Sequence, residues 1–308
     1  DGKSQGMYVI GYNNYGQIGN DSKEKQYTPY LIDDIANIVE IATGEHHTVA
    51  LDKDGVVWCW GNNNYGQYGN GTTITSKSPI RTYAGSIVEQ NATIGENHEL
   101  YINNEGKIYA VGDNTYGQLG TGDNIKRDEP TEINGPWGNA RIIKVETRNN
   151  TSFAITEDNV LYGWGQDDSR QLGNLEHANV NYPVQIATDV NDVRAGAEHT
   201  TILKTNGDVY VWGSNTYGQL GEEDYEDTPK KIYSGVKCIC NGDYQTFLIT
   251  DTNTLYATGK NDTGQLGLGN TTNKNDFTLV RMGVDSVSCG DSHTVIRGTD
   301  GKVYAFGN

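Results

Sequence analysis

A nine-residue phrase that opens with glycine recurs six times along this chain of 308 residues. Its copies are GYNNYGQIG at Gly11, GNNNYGQYG at Gly61, GDNTYGQLG at Gly112, GQDDSRQLG at Gly165, GSNTYGQLG at Gly213 and GKNDTGQLG at Gly259, and a seventh opens at Gly307. Successive opening glycines lie from 46 residues apart (Gly213 to Gly259) to 53 apart (Gly112 to Gly165). Nearly the whole chain is therefore one unit of about 50 residues copied in tandem, which predicts a single domain over residues 1–308.

The segment before each opening glycine has the pattern of a β-strand. Four positions before the glycine stands an apolar residue, three before it Tyr or Trp, and two before it a small residue. Because side chains alternate between the faces of a strand, this pattern predicts a strand packed on both sides. The predicted core residues on these strands include four tryptophans: Trp58, Trp60, Trp164 and Trp212.

Each repeat holds further strand and turn signals. A Gly or Asn stands six positions before each of the last six opening glycines, and these residue types adopt positive φ cheaply, which predicts a hairpin turn. Three more short apolar runs complete the unit, and none has helical periodicity. The sequence therefore predicts an all-β chain of repeated four-stranded antiparallel units, the pattern of β-propeller blades.

The phrase, together with the GxxHT segment before it, resembles the repeat of the regulator of chromosome condensation family over residues 7–307. The resemblance implies a β-propeller, which in this family usually has seven blades. The spacing here favours six blades, but the extra strand Met7–Gly11 matches the last strand Val303–Gly307. Seven blades with an incomplete closing blade therefore remain an alternative.

The resemblance does not determine the function, because one fold carries many functions. The family includes a guanine nucleotide exchange factor for the GTPase Ran, a β-lactamase inhibitor and a plant ultraviolet-B receptor. The exchange factor uses an inserted β-wedge, for which no spacing here leaves room, and a basic N-terminal tail, whereas this chain opens Asp1-Gly2-Lys3-Ser4. The receptor's GWRHT segments are also missing.

The composition restricts the partners. A net charge of -17 repels nucleic acid and favours a protein partner with a basic surface. No run of apolar residues is long enough to predict a membrane span. The spacing of Cys59, Cys238, Cys240 and Cys289 fits neither a disulfide framework nor a zinc motif, so these residues are predicted to be small apolar side chains in the core. The Asn-rich and Tyr-rich loops favour a bacterial, extracellular or cell-surface protein over a cytoplasmic one.

Three recurring or clustered polar features invite a site hypothesis, each with a simpler interpretation. The phrase glutamine never varies, and its amide is predicted to satisfy backbone groups of the turning loop. A histidine stands 14 residues before four of the opening glycines, and Thr or Gln replaces it elsewhere, which favours a hydrogen-bonding role over a metal site. The acidic run from Glu222 to Asp227 lacks the spacing of a calcium loop and is interpreted as a solvated surface.

The fourth copy departs most from the repeat. Arg148 and Arg170 stand where other copies have glycine, and Trp137 lies in the segment before this copy. Because Arg and Trp are enriched at interface centres, these three residues are the candidate binding residues, although neutral drift of one copy explains the same changes.

No nucleophile, base and orienting group recur at a recognisable spacing, so no catalytic residue, cofactor or metal site is predicted. The predicted function is a non-enzymatic scaffold for protein-protein interaction. The alternatives are guanine nucleotide exchange on a small GTPase and inhibition of a secreted enzyme such as a β-lactamase. An enzyme whose site is gathered from separate blades also remains open.

Overall fold

The computed structural model describes residues 7–44, 46–83, 92–174, 178–224 and 226–308, and these residues form 25 β-strands and no helix. The strands are β1 (Met7–Gly11), β2 (Gln26–Ile32), β3 (Ile38–Thr43), β4 (His47–Asp52), β5 (Val57–Gly61), β6 (Ser76–Tyr83), β7 (Ala92–Ile94), β8 (His98–Ile102), β9 (Ile108–Gly112), β10 (Arg127–Glu132), β11 (Ile142–Arg148), β12 (Thr151–Thr156), β13 (Leu161–Gly165), β14 (Val180–Ala187), β15 (Val190–Ala195), β16 (His199–Lys204), β17 (Val209–Gly213), β18 (Glu226–Tyr233), β19 (Val236–Asn241), β20 (Gln245–Thr250), β21 (Thr254–Gly259), β22 (Lys274–Met282), β23 (Val284–Cys289), β24 (His293–Gly298) and β25 (Val303–Gly307). No helix able to cross a lipid bilayer is found in the described part of the chain.

The strands are arranged as the repeat predicts. Five four-stranded sheets have the orders β3-β4-β5-β6, β10-β9-β8-β7, β11-β12-β13-β14, β15-β16-β17-β18 and β19-β20-β21-β22. A sixth sheet, β23-β24-β25, has the same order with three strands. The prediction of an all-β propeller with one antiparallel blade for each of six repeats is confirmed.

The extra strand that left the blade number open has a sheet of its own. β1 pairs with β2 in a two-stranded antiparallel sheet, whereas the matching strand β25 pairs with β24. The two strands therefore do not compete for one place. The pair β1-β2 is an additional, incomplete sheet that belongs to none of the six blades.

The chain divides into two compact units, 1–157 with 180–183 and 158–179 with 184–308. The first unit contains β1 to β12, and the second contains β13 and β15 to β25. The single domain predicted over residues 1–308 stays a prediction.

The second and third strands of each complete blade form the core. β4, β8 and β12 are buried along their whole length, as is β13. Trp60, Trp164 and Trp212 are fully buried, as predicted, and Trp58 is half-buried. Burial of apolar side chains on both faces explains why these strands read as apolar and aromatic without polar alternation.

β1 differs from its counterparts in burial. Ile10 is 56% exposed, whereas Trp60 and Trp212, which occupy the same position in β5 and β17, are 0% exposed. The same side-chain position is therefore a core position in complete blades and a surface position in the two-stranded sheet.

Candidate functional site: a loop cleft above the blades

The loops that follow the third strand of each blade are held by the phrase glutamine. In all six copies the glutamine Oε1 accepts a hydrogen bond from the backbone N–H two residues earlier, at 2.9 to 3.0 Å. In five copies its own backbone carbonyl accepts a hydrogen bond from a hydroxyl of the following repeat, for example from Thr246 Oγ1 to the Gln219 carbonyl at 2.7 Å. The predicted backbone role of the glutamine is confirmed.

A second loop anchor was missed by the sequence reasoning. The third residue of the phrase is Asn in five copies and Asp167 in the fourth. In the fifth copy Asn215 Oδ1 accepts the N–H of Leu220 at 2.9 Å, and Nδ2 donates to the carbonyls of Glu222 at 2.7 Å and Asp224 at 2.8 Å. The recurrence of Asn at this position was the available signal, and its effect is to fix an acidic loop beside the phrase.

Arg170 keeps the turn that glycine makes in the other copies. Its φ is 64°, and the equivalent Gly117 and Gly218 have φ of 81° and 82°. Left-handed backbone is costly for a residue with a Cβ, so the fourth copy carries strain at this turn. The Arg170 guanidinium forms an ion pair with Asp227.

These loops enclose a cleft of about 680 Å³ in the second unit, named here the loop cleft. Its lining residues are Ser169, Arg170, Glu198, Gly213, Ser214, Asn215, Thr216, Glu223 and Asp224. Three carboxylates and three hydroxyls thus face one open space, and the one cation among the lining residues is already paired. The loop cleft is suited to a cationic group that can also form hydrogen bonds with hydroxyls.

Of the three predicted binding residues, Arg170 lines the loop cleft. Arg148 is the last residue of β11, and Trp137 lies before the first residue of that strand, where its ring covers Gly135. Trp137 and Arg148 do not line the loop cleft. The binding roles of all three residues stay predictions.

The acidic run is partly neutralised by lysine. Lys230 forms ion pairs with Glu222 and Glu226, and Asp227 pairs with Arg170, while Glu223 and Asp224 face the loop cleft. Within the described ranges, no group of three or more His, Cys, Asp or Glu side chains is arranged to hold a metal ion.

The recurring histidines connect one repeat to the next. His98 Nε2 contacts Ser152 Oγ at 2.9 Å, and His199 Nε2 contacts Thr246 Oγ1 at 2.9 Å. The predicted hydrogen-bonding role is thereby confirmed for these two residues. His47 Nε2 instead lies 3.0 Å from Glu99 Oε1, which makes a buried ion pair at the same junction when His47 is protonated.

One of these histidines is predicted to make the fold sensitive to acid. Burial, and after it the neighbouring His47, lowers the pKa of His98 to about 3. An unfolded histidine has a pKa of about 6.5, so between pH 6.5 and 3 the unfolded chain binds a proton that the folded chain does not. The free energy of unfolding should therefore decrease as the pH is lowered through this window. His98 should contribute about 2 kcal/mol of that decrease between pH 7 and pH 5.

The test is urea unfolding of the parent chain and His98→Gln at both pH values. The variant should lose less stability on acidification, because Gln does not titrate, and it should fold because Gln is the residue that the sixth repeat has in this place. His293→Gln is the matched control, because it makes the same substitution at the exposed member of the set. Burial also raises the pKa of Glu99, so this carboxyl increases the free energy of unfolding as the pH is lowered. Glu99 is present in both variants. Equal acid slopes for parent and His98→Gln would contradict the prediction.

Comparison with known proteins agrees with this geometry. The ultraviolet-B receptor UVR8 of Arabidopsis thaliana is 32% identical over 311 residues, covering 95% of this chain and 70% of the receptor. The mouse E3 ubiquitin-protein ligase HERC2 is 28% identical over 317 residues, covering 96% of this chain but 6% of the ligase. The crystal structure of Prp20p from Saccharomyces cerevisiae superposes with a TM-score of 0.84 and 22% identity, covering 100% of this chain and 82% of Prp20p, which shows the same fold.

Two models of one repeat match the sequence directly. The regulator of chromosome condensation (RCC1) repeat model matches residues 6–51, 54–99, 105–155, 158–203 and 206–249, and a second model of the same repeat matches 38–67, 190–219 and 284–308. These matches cover well over half of the chain. The chain belongs to the regulator of chromosome condensation (RCC1) repeat family.

Proposed function

We propose that this chain is a non-enzymatic protein-binding scaffold, and that the loop cleft receives a basic segment of its partner. The observation that carries the proposal is the convergence of Glu198, Glu223 and Asp224 on one cleft. The loop that carries Glu223 and Asp224 is fixed by hydrogen bonds from the Asn215 amide to the carbonyls of Glu222 and Asp224. A surface that is already ordered loses little conformational entropy on binding, which favours affinity.

The charge of the whole chain supports a basic partner. At a net charge of -17, long-range attraction raises the encounter rate with a positively charged protein. The loop cleft then supplies close contacts for lysine or arginine side chains. Binding of this kind weakens as salt screens the charges, so affinity should fall steeply with ionic strength.

The side chains that line the loop cleft support binding rather than catalysis. Hydroxyls of Ser169, Ser214 and Thr216 are present, but no His, Cys or Lys is among the lining residues that could activate them. A hydroxyl nucleophile needs a base within hydrogen-bonding reach.

The test uses immobilised protein and a defined probe, a fluorescent oligo-arginine peptide, with an oligo-glutamate peptide as the negative probe. The variant Glu198→Gln/Glu223→Gln/Asp224→Asn should lose about tenfold or more in affinity, since each ion pair lost contributes up to about 1 kcal/mol. The control Glu24→Gln/Asp33→Asn/Asp34→Asn removes the same charge from exposed positions and should bind almost as the parent does. Partners captured from cells should show the same ranking of variants. Equal binding by both triple variants, or accelerated nucleotide release from a small GTPase, would speak against the proposal.

Arg170→Gly separates binding from folding at this site. Glycine removes the cost of a side chain at φ 64° and loses an ion pair between half-exposed groups, so stability should change by about 1 kcal/mol or less in either direction. Release of Asp227 makes the loop cleft more negative, so affinity for the oligo-arginine peptide should rise. The measurements are urea unfolding and peptide titration, and a loss of peptide binding with unchanged stability would instead assign Arg170 a direct contact.

A further inference from the structure

Three of the four cysteines lie on two neighbouring strands of the second unit. Cys238 and Cys240 are on β19, and Cys289 is the last residue of β23, the first strand of the next blade. All three are half-buried and pack against the same apolar cluster, which includes Phe247 and Leu255. The fourth cysteine, Cys59, is fully buried in the first unit.

The thiols of Cys240 and Cys289 are neighbours. Burial raises the pKa of the Cys289 thiol well above its ordinary value, and a hydrogen bond with the Cys240 thiol raises it further. The two residues come from strands that contact each other, so the pairing crosses from one blade to the next.

The repeat shows independently that these two positions touch. Cys240 pairs across its sheet with Phe247, and Cys289 pairs with Thr294. By the same register, the equivalent residues in the first unit are Thr93 and Thr147, whose hydroxyl oxygens lie 3.0 Å apart. A third equivalent pair is in contact as well, because Asn241 Nδ2 donates to the Arg194 carbonyl at 2.9 Å.

We infer that Cys240 and Cys289 form a reversible disulfide that cross-links two neighbouring blades when the protein meets a disulfide oxidant such as oxidised glutathione. One cysteine thiolate attacks a sulfur of the oxidant, and the first glutathione thiolate leaves. The second cysteine thiolate then attacks the protein sulfur of the mixed disulfide, and the second glutathione thiolate leaves. The two thiol protons end on the two glutathiones, and two electrons pass from the protein to the oxidant.

The environment sets the rate of this reaction. A thiol with a raised pKa is mostly protonated at neutral pH, so attack should be slow there and should accelerate as the pH rises. The cross-link would close a chain segment of about 50 residues, which restricts the unfolded chain and should raise the thermal unfolding midpoint by several degrees.

The experiment incubates the reduced full chain with oxidised glutathione at pH 8.5, blocks remaining thiols and maps the peptides by mass spectrometry without reduction. We expect a cross-linked peptide containing Cys240 and Cys289, about 2 Da lighter than the sum of its parts, and its loss with dithiothreitol. Cys238→Ser should keep the cross-link. Cys240→Thr and Cys289→Thr should abolish it and still fold, because the first unit has Thr in both places.

A second variant tests the geometry of the position pair itself. Thr93→Cys/Thr147→Cys places two thiols at the equivalent positions and should form a new disulfide under the same conditions. A Cys240–Cys289 peptide that fails to appear, or a cross-link that joins Cys238 to either partner instead, would overturn the inference. Failure of both pairs to oxidise would overturn it too, since the shared geometry would then be unsuited to a disulfide.

Discussion

Gly196→Ala is expected to lower the free energy of unfolding by about 3 kcal/mol or more. A Cβ at Gly196 would overlap the ring of His199, three residues later, and would also lie 3.0 Å from the Asp243 carbonyl. The ring cannot move aside without breaking its contact with Thr246, because it is fully buried. Overpacking of a core costs about 1–3 kcal/mol, and loss of a buried hydrogen bond adds about 1–3 kcal/mol.

The rescue by a second substitution identifies the cause. His199→Thr in the same chain removes the ring, so Gly196→Ala/His199→Thr should be more stable than Gly196→Ala alone. The fourth repeat already combines a residue larger than glycine, Arg148, with Thr151 at the histidine position. The converse variant, Thr151→His, should be destabilised and should recover when Arg148→Gly is added. Urea unfolding of both double variants and of the single variants Gly196→Ala, His199→Thr, Thr151→His and Arg148→Gly checks both cycles, and additive losses in either cycle would rule out the steric coupling.

The same crowding accounts for the pairing of Arg148 with Thr151 in the fourth copy. Gly196 does not have positive φ, so backbone strain does not require glycine there. The His199 ring and the Asp243 carbonyl leave too little room for a Cβ. The fourth copy has Thr151 in place of the ring and the larger Arg148 at the glycine position.

The strands could be predicted from the sequence because a strand that is buried on both faces consists mostly of apolar and aromatic residues. The strands predicted from Met7 to Gly11 and from Val303 to Gly307 both have the observed bounds. The loop cleft could not be predicted in this way. Its lining residues come from three loops that are separated along the chain, after β13, between β15 and β16, and between β17 and β18, and only the fold brings these loops together.

Trp212→Ala is expected to cost about 3–5 kcal/mol, because the indole is fully buried and its removal leaves a large cavity. The same side chain donates from Nε1 to the Gln171 carbonyl at 2.9 Å, and its ring lies against Gly173, so the substitution also loosens the loop that carries Arg170. Trp212→Phe retains most of the ring and loses the donor, and we expect about 1 kcal/mol for the lost hydrogen bond, because the Gln171 carbonyl still accepts one from Thr200 Oγ1.

Ile10→Ala is the matched control, since Ile10 holds the same repeat position in β1 but is 56% exposed. The substitution should lower the free energy of unfolding by about 1 kcal/mol or less, because truncating a half-exposed side chain removes little buried area. The measurement is urea unfolding of the three variants against the parent, followed by peptide titration of the loop cleft for those that remain folded. Similar losses for Trp212→Ala and Ile10→Ala would mean that the two positions are buried to a similar degree in solution, and that the sheet β1-β2 is covered by protein there.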